Sequence, residues 1–194
     1  MAVLDVVVLV GLQAAGVGQP DLTELLKAIG PRGVATAAAP VIVLLLTSLL
    51  PSEFKAMLVY WRLRDVLPSH RAFSVHAPRD SRINLEALRR NVGDFPEAPR
   101  DQSSRWYQLY TKVGNNVPIV GAHRHFLLFR DMAAMSVVLL VVVPAALWFV
   151  DKPLALPAAI LFAVQYVLAA IAARHNGIRM VTNVLALHST KKVG

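Results

Sequence analysis

The sequence predicts an all-α integral membrane protein, a bundle of four transmembrane helices with a small helical cytoplasmic layer inserted between the second and third spans. Three observations favour this class. Only 16% of the 194 residues are charged and 56% are apolar, whereas soluble domains carry about 25% charged residues. The charges are segregated, because 23 of the 32 lie between Lys55 and Arg130 or in the last 21 residues. Uncharged stretches, each near the ~20 residues that cross a bilayer, separate them.

Residues 1–50 are predicted to form a first membrane hairpin. Its second helix, the span at 33–50, carries no charge and is clear. Its first helix, at about 2–18, is weak because Asp5 and three glycines interrupt it. An interfacial or re-entrant segment, which would leave three spans, is the alternative. Between the two, residues 21–29 have the apolar spacing of an amphipathic external helix.

Residues 132–194 are predicted to form a second membrane hairpin with a basic C-terminal tail. The spans at 132–150 and 154–173 carry no charge, and only three residues separate them. A connection this short requires the two helices to be antiparallel neighbours. The tail that begins at Arg174 carries four basic residues and no acidic ones.

The distribution of basic residues predicts the orientation. Residues 51–131 hold thirteen Lys and Arg against eight Asp and Glu. Cytoplasmic loops of membrane proteins are enriched in Lys and Arg, so the central segment and the C-terminus are expected in the cytoplasm of a multi-pass inner cell membrane protein. The net charge of +8 favours anionic membrane lipids over nucleic acid as partners, because no nucleic-acid-binding motif accompanies it.

The central segment, residues 51–131, is expected to be partly helical. An aromatic and basic helix follows the second span, and further helices are predicted at 83–91 and 103–113. The rest of the stretch 67–100, with its four prolines, is interpreted as a loop that must pack on neighbouring helices, because it has too few apolar residues for its own core. The helical pattern then continues unbroken from about 117 to 150. This predicts one long helix, paired with 103–113 as an αα-hairpin.

The candidate binding residues lie in this cytoplasmic segment. Basic side chains near the inner membrane face would bind an anionic ligand or a lipid headgroup, and aromatic ones would dock a partner. The candidate ligand residues are Arg62, Arg64, Arg71, His123, Arg124 and Arg130, and the candidate docking residues are Trp61, Trp106 and Tyr110. Because the cytoplasmic ends of the third and fourth spans meet, an interhelical ion pair between Asp131 and Arg174 is also expected.

Several chemistries are disfavoured. The chain has no cysteine, so disulfides, thiolate metal sites and cysteine nucleophiles are excluded. His123 and His125 are two residues apart, which places them on nearly opposite faces of a helix. No metal site or cofactor is therefore predicted. P-loop, Gly-x-Gly-x-x-Gly and Gly-x-Ser-x-Gly motifs are also absent from the sequence.

These patterns predict a non-catalytic inner-membrane protein, an oligomeric sensor or effector or a subunit of a membrane complex. Its basic, aromatic cytoplasmic layer would dock a partner or ligand, and the long helix would carry the response into the membrane. One alternative is an oligomeric pore. The other is a membrane enzyme acting on a lipid or isoprenoid phosphate at the cytoplasmic interface. The candidate residues of that enzyme are Arg62, Arg64, His70, Arg71, His123, His125 and Asp131.

Overall fold

The computed structural model describes residues 45, 47–150 and 152–190, all within one compact unit, Val43–Gly194. Three predicted elements lie outside the described residues: the span at 2–18, the external helix at 21–29 and nearly all of the span at 33–50. Every regular element in the described ranges is helical, which confirms the all-α class for this part of the chain.

The helices that the structure describes after residue 50 are α1 (Ser52–Tyr60), an irregular helix (68–79), α2 (Leu85–Val92), α3 (Pro99–Val113), α4 (Val117–Val150) and α5 (Lys152–Thr190). Helices α2 and α3 correspond to the predicted ones at 83–91 and 103–113. Helix α4 confirms the predicted continuous helix, and it runs through Pro144 without a break.

Helices α4 and α5 pack against each other as an antiparallel pair. Each is long and apolar enough to cross a membrane, with an 18-residue window of mean hydropathy 2.4 in α4 and 2.2 in α5. Only 17% of each window is buried. Large apolar side chains are exposed along both helices, including Val141, Phe149, Leu156, Leu161 and Leu168. By length and composition, two of the predicted spans are thus compatible with a membrane-crossing hairpin. We call the parts of α4 and α5 that correspond to these two spans, residues 132–150 and 154–173, the apolar section.

The C-terminal half of α5 forms the centre of a helical layer. This layer comprises the irregular helix, α2, α3, the first turns of α4 and the end of α5. Val181 and Leu185 of α5 are fully buried among Phe73, Leu88 and Trp106. The layer therefore has a core of its own, which is built around a helix that also belongs to the apolar section.

The sequence leaves open whether residues 174–188 of the basic C-terminal tail continue the last helix or form an amphipathic helix of their own after Gly177. Residues 174–190 continue α5 and are largely buried. All six residues from 180 to 185 are buried, so this part of α5 is covered on every side, and His188 and Ser189 are buried one turn further on. Arg174 and Arg179, which the sequence suggests reach lipid headgroups, are half-buried and exposed respectively.

The irregular helix is the element that the sequence did not predict. It consists of a 3₁₀ turn at Pro68–Arg71, a π turn at Ala72–His76 and an α-helical turn at Ala77–Arg79. Gln102 of α3, only 2% exposed, holds the π turn. Its Oε1 atom accepts hydrogen bonds from the Phe73 and Ser74 N–H groups, both at 3.2 Å, and its Nε2 atom donates to the Glu97 carbonyl.

Helix α3 packs mainly against the irregular helix and α5, and not along α4 as the predicted αα-hairpin required. The Trp106 indole N–H donates to the Val181 carbonyl at 3.4 Å. The His188 Nε2 atom lies 3.1 Å from the Leu109 carbonyl oxygen. The partners of α3 are therefore the irregular helix and α5 instead of α4.

Helix α1 joins the apolar section to the layer. It packs against both α4 and α5, and it ends at Trp61, whose φ of 52° is left-handed and whose N–H donates to the Met57 carbonyl at 2.8 Å. This termination is typical of helix C-termini. It turns the chain away from α1 and toward the irregular helix.

Candidate functional site

A cavity of about 450 Å³ lies between α1 and the helical layer. We call it the α1 cavity. Helix α1 and the segment 63–70 form two of its walls, and α3, α4 and α5 form the others. Its apolar lining includes Ala56, Met57, Leu67, Trp106, Phe126, Met180 and Val181. The cavity therefore borders every element that connects the layer with the apolar section.

Tyr60 places a hydroxyl group in this region without a hydrogen-bond partner. The Tyr60 oxygen is buried, and no acceptor or donor within the described residues reaches it. Burial raises the pKa of Tyr60 far above its usual value, although the nearby Arg174 opposes the rise. The hydroxyl consequently keeps its proton at all physiological pH values, and it is enclosed by the surrounding side chains and by Gly177.

Gly177 of α5 makes the position of Tyr60 sterically possible. A Cβ atom at residue 177 would overlap the Tyr60 hydroxyl and would lie 3.1 Å from the Phe126 ring. The Tyr60 and Phe126 rings are 6.2 Å apart between centroids. A residue without a side chain is thus required where the ring of Tyr60 crosses α5.

A second polar pair lines the cavity. The Tyr110 hydroxyl lies 3.0 Å from the Nδ1 atom of His123. Burial, reinforced by the charge of Arg130, lowers the pKa of His123 below its usual value, so the imidazole is neutral at neutral pH. Trp106 stacks on Tyr110 with 5.3 Å between ring centroids. The pair is therefore an uncharged hydrogen-bonding group on an aromatic wall.

Charged residues of both signs line the cavity. Arg100 and Arg130 are the basic residues, and Glu53 and Asp65 are the acidic ones. The Arg130 guanidinium donates to Asp131 at 2.9 Å, while the Asp65 carboxylate lies 3.9 Å from the His70 imidazole. The formal charges of these four residues balance.

Arg174 holds the end of α1. Its guanidinium stacks over the Trp61 ring at 3.7 Å, and its Nε atom donates to the Val59 carbonyl. The Trp61 indole N–H donates to the Tyr166 hydroxyl at 2.8 Å, which in turn donates to the Leu58 carbonyl at 2.7 Å. This cluster attaches α1 to α5 where the apolar section ends.

The structure gives Asp131 and Arg174 partners other than each other. Asp131 lies 3.4 Å from the Lys55 ammonium and 2.9 Å from the Arg130 guanidinium. The carbonyl groups at the C-terminal end of α1 lack helical partners, and Arg174 donates to one of them instead. In place of the predicted pair, each of the two residues binds α1 at a different point.

The structure brings together some of the predicted site residues. Among them, Trp106, Tyr110, His123 and Arg130 line the α1 cavity. The others do not: Arg62, Arg64 and Arg124 are exposed, Arg71 is half-buried, and Trp61 is exposed at the end of α1. Of the further residues proposed for an enzyme, His70 lines the cavity, whereas His125 and Asp131 lie outside it.

Sequence reasoning missed Tyr60, Phe126, Gly177 and Met180 as cavity residues. Gly177 and Met180 are three residues apart and lie on one face of a helix that continues past residue 173. This spacing was the signal that the sequence offered.

Within the part of the chain that the structure describes, no three histidine or acidic side chains are grouped so as to hold a metal ion. No protein-family model, curated protein or solved structure matches the chain.

Proposed function

We propose that the chain is a non-catalytic, multi-pass protein of the inner cell membrane that acts as a sensor or effector. In this proposal the helical layer lies in the cytoplasm and receives a ligand or partner. The pair α4 and α5 then carries the change into the membrane, where the protein works as a homo-oligomer or as a subunit of a larger complex.

The observation that carries the proposal is the continuity of α4 and α5. Both helices run unbroken from the exposed apolar section into the helical layer. The same helix that exposes Leu168 buries Val181 and Leu185 in the layer. In this proposal a movement of the layer core reaches the apolar section through α5, because the same helix belongs to both parts.

The exposed apolar section supports the membrane part of the proposal. Leaving side chains such as Phe149, Leu156 and Leu168 in water costs about 1.5–3 kcal/mol each relative to burial. Lipid tails remove that cost because they are apolar themselves. In a membrane the same side chains can also pack against further helices of the same chain or of another subunit.

The α1 cavity supports the receptor part. It is enclosed by elements from the layer and by α1, which Arg174 and Lys55 attach to the two long helices. A molecule in the cavity would contact α1, α3, α4 and α5 together. Occupation of the cavity is thus a means of changing how α1 sits on α4 and α5.

Single-cysteine labelling tests the membrane topology, since the natural chain has no cysteine. The exposed residues Ser81, in the layer, and Lys152, at the start of α5, form a matched pair. In inside-out membrane vesicles a membrane-impermeant maleimide should label S81C and spare K152C, and in right-side-out vesicles the pattern should reverse. Labelling of both variants from one side, or recovery of the protein in the soluble fraction, contradicts the proposal.

Native mass determination after gentle detergent extraction tests the assembly. The proposal expects a mass above that of one 21.1 kDa chain, as a multiple of it or with a bound second protein. A monomer that carries neither lipid nor partner would argue against a complex.

A further inference from the structure

We propose that a phosphate group binds between Arg79 of the irregular helix and Arg179 of α5, in a pocket of about 440 Å³ that lies directly after the apolar section. We call it the Arg79 pocket. None of the described residues that line it also lines the α1 cavity. The inference rests on the proposed function and deepens it, because it gives the helical layer a ligand of stated chemistry at the membrane surface.

A network of polar contacts fixes one wall of the Arg79 pocket. Arg82 donates to the two carboxylate oxygens of Asp80 at 2.9 and 2.6 Å. On α5 it donates to Asn183 Oδ1 at 3.0 Å and to Thr182 Oγ1 at 3.1 Å. The bonds from Arg82 hold the pKa of Asp80 far below its usual value, although burial opposes this. The wall is therefore attached to α5, and its carboxylate is ionised and already paired.

Arg79 and Arg179 carry charges that this network does not neutralise. Both side chains are exposed and line the pocket. Among the described residues neither guanidinium forms an ion pair. Asp80 is the only acidic residue within the described part of the lining, and it is bound to Arg82. In contrast to the α1 cavity, whose charged residues balance, the Arg79 pocket has an excess of positive charge.

His76, the last residue of the π turn, reports the same excess. Burial, followed by the charges of Arg79 and Arg62, lowers the pKa of His76 below its usual value. The imidazole is consequently neutral at neutral pH, and a neutral imidazole still has one N–H group to donate. An anion beside Arg79 would offset the repulsion that acts on His76. The lining thus offers an anion both charge and hydrogen-bond donors.

The geometry of the donors favours phosphate over carboxylate. A guanidinium group is a planar fork that binds two oxygens of either anion. One such fork occupies both oxygens of a carboxylate, whereas a phosphate group keeps a further oxygen for a second donor. Arg79 and Arg179 belong to different helices and line one pocket. Two forks from separate elements are therefore matched to phosphate.

The place of the pocket relates it to the membrane surface. Arg179 follows the last residue of the apolar section by six positions, which is about 9 Å along a helix. Headgroups occupy about 5–8 Å outside each face of the hydrocarbon core. Helical side chains lean toward the N-terminus, and in α5 that direction leads back to the apolar section. The phosphate of an anionic phospholipid is thus the favoured source, and a soluble phosphate compound is the other.

Thermal unfolding of the purified full-length protein in detergent tests the inference. Dioleoylphosphatidylglycerol, inorganic phosphate and oleate are titrated separately at constant ionic strength, since a ligand of the folded state raises the melting temperature. Saturable stabilisation by the phospholipid alone supports a lipid phosphate. Saturable stabilisation by inorganic phosphate supports a site that accepts soluble phosphate. Stabilisation by oleate equal to that by the phospholipid, or by none of the three probes, overturns the proposal.

The variants Arg79→Gln and Arg179→Gln remove one fork each. We expect each to bind the stabilising probe about 5-fold more weakly, as for an ion pair at an exposed site, and the double variant to bind more weakly still. Arg90→Gln, at an exposed position of α2 outside the pocket, removes the same charge and is the matched control. It should bind unchanged. Equal affinities of the pocket variants and the control overturn the proposal.

Membrane fractionation distinguishes a failure of this inference from a failure of the proposed function. The double variant leaves the apolar section intact, so it should be recovered with the membranes as the parent protein is. Loss of probe binding in proteins that remain in the membrane fraction is attributable to the pocket alone. Recovery of the parent protein in the soluble fraction contradicts the membrane proposal, whatever the probes show.

Discussion

The Tyr60 hydroxyl lies against Gly177 so closely that a single methyl group on α5 would overlap it. Tyr60 is the last residue of α1, and Gly177 is the point where α5 passes from the apolar section into the helical layer. This contact joins α1 to the point where the apolar section meets the helical layer, and both residues line the α1 cavity.

The first prediction concerns the fit at Gly177. Replacing it with Ala should displace the Tyr60 ring and destabilise the protein by about 1–3 kcal/mol, the usual cost of overpacking. Gly121 of α4 is the matched control, because a Cβ there meets nothing within 4 Å. Gly121→Ala should be neutral or stabilising by up to about 1 kcal/mol through helix propensity. Thermal unfolding in detergent measures both, and equal melting temperatures would show that Tyr60 does not depend on this glycine.

The second prediction concerns Gln102. Gln102→Leu leaves the Phe73 and Ser74 N–H groups of the π turn without their buried acceptor, so we expect a loss of about 2 kcal/mol or more. Amide hydrogen exchange should quicken at residues 72–76 in particular. Gln108→Leu, at an exposed site of the same helix, is the control and should change neither quantity. Unchanged exchange at 72–76 in the Gln102 variant would mean that other contacts hold the turn.

The third prediction concerns the attachment of α1. Arg174→Lys keeps the charge but loses the planar group that stacks on Trp61 and donates to Val59. Helix α1 should loosen, and trypsin should cleave after Arg62 and Arg64 faster than in the parent protein. Arg179→Lys, at an exposed position of the same helix, should leave the cleavage rate unchanged. If both variants are cleaved alike, Arg174 does not hold α1.

The fourth prediction concerns pH. Burial, followed by the charges of Lys112 and Arg105, lowers the pKa of His188 in the folded protein, although its bond to the Leu109 carbonyl opposes this. The unfolded chain then binds the proton more readily than the folded one, so stability falls as the pH drops below about 6.5. The decrease in melting temperature from pH 7.5 to pH 5 should be smaller in His188→Gln. It should persist in the control His175→Gln, whose side chain is exposed; identical decreases in all three proteins would rule out His188.

Part of this architecture was predictable from the sequence. The unbroken helical pattern from 117 to 150 was sufficient to predict α4, and the apolar positions Ile83, Leu85 and Leu88 were enough to locate α2. Trp106, Tyr110 and His123 were recognised as candidates because aromatic and titratable residues stand out in an apolar chain. All three line the cavity.

The rest depends on tertiary contacts that leave no local pattern. The irregular helix exists because Gln102, about 30 positions along the chain, satisfies its π turn, so its own residues predict only a loop. Arg174 binds the C-terminal end of α1, and the position of that end relative to α5 cannot be read from the spacing between Asp131 and Arg174 in the sequence. The sequence leaves open whether the helix is interrupted at Gly177, and nothing in the sequence shows that this glycine receives the Tyr60 ring.

The central claim is that one helix, α5, crosses from the membrane into the cytoplasmic layer. The most direct test compares the cysteine variants of Leu168 and Arg179, both exposed on α5 and separated by only eleven residues. In intact inside-out vesicles a membrane-impermeant maleimide should label R179C rapidly and should leave L168C unlabelled until detergent is added. Equal labelling of the two variants in intact vesicles would show that the apolar section lies in water and would contradict the account.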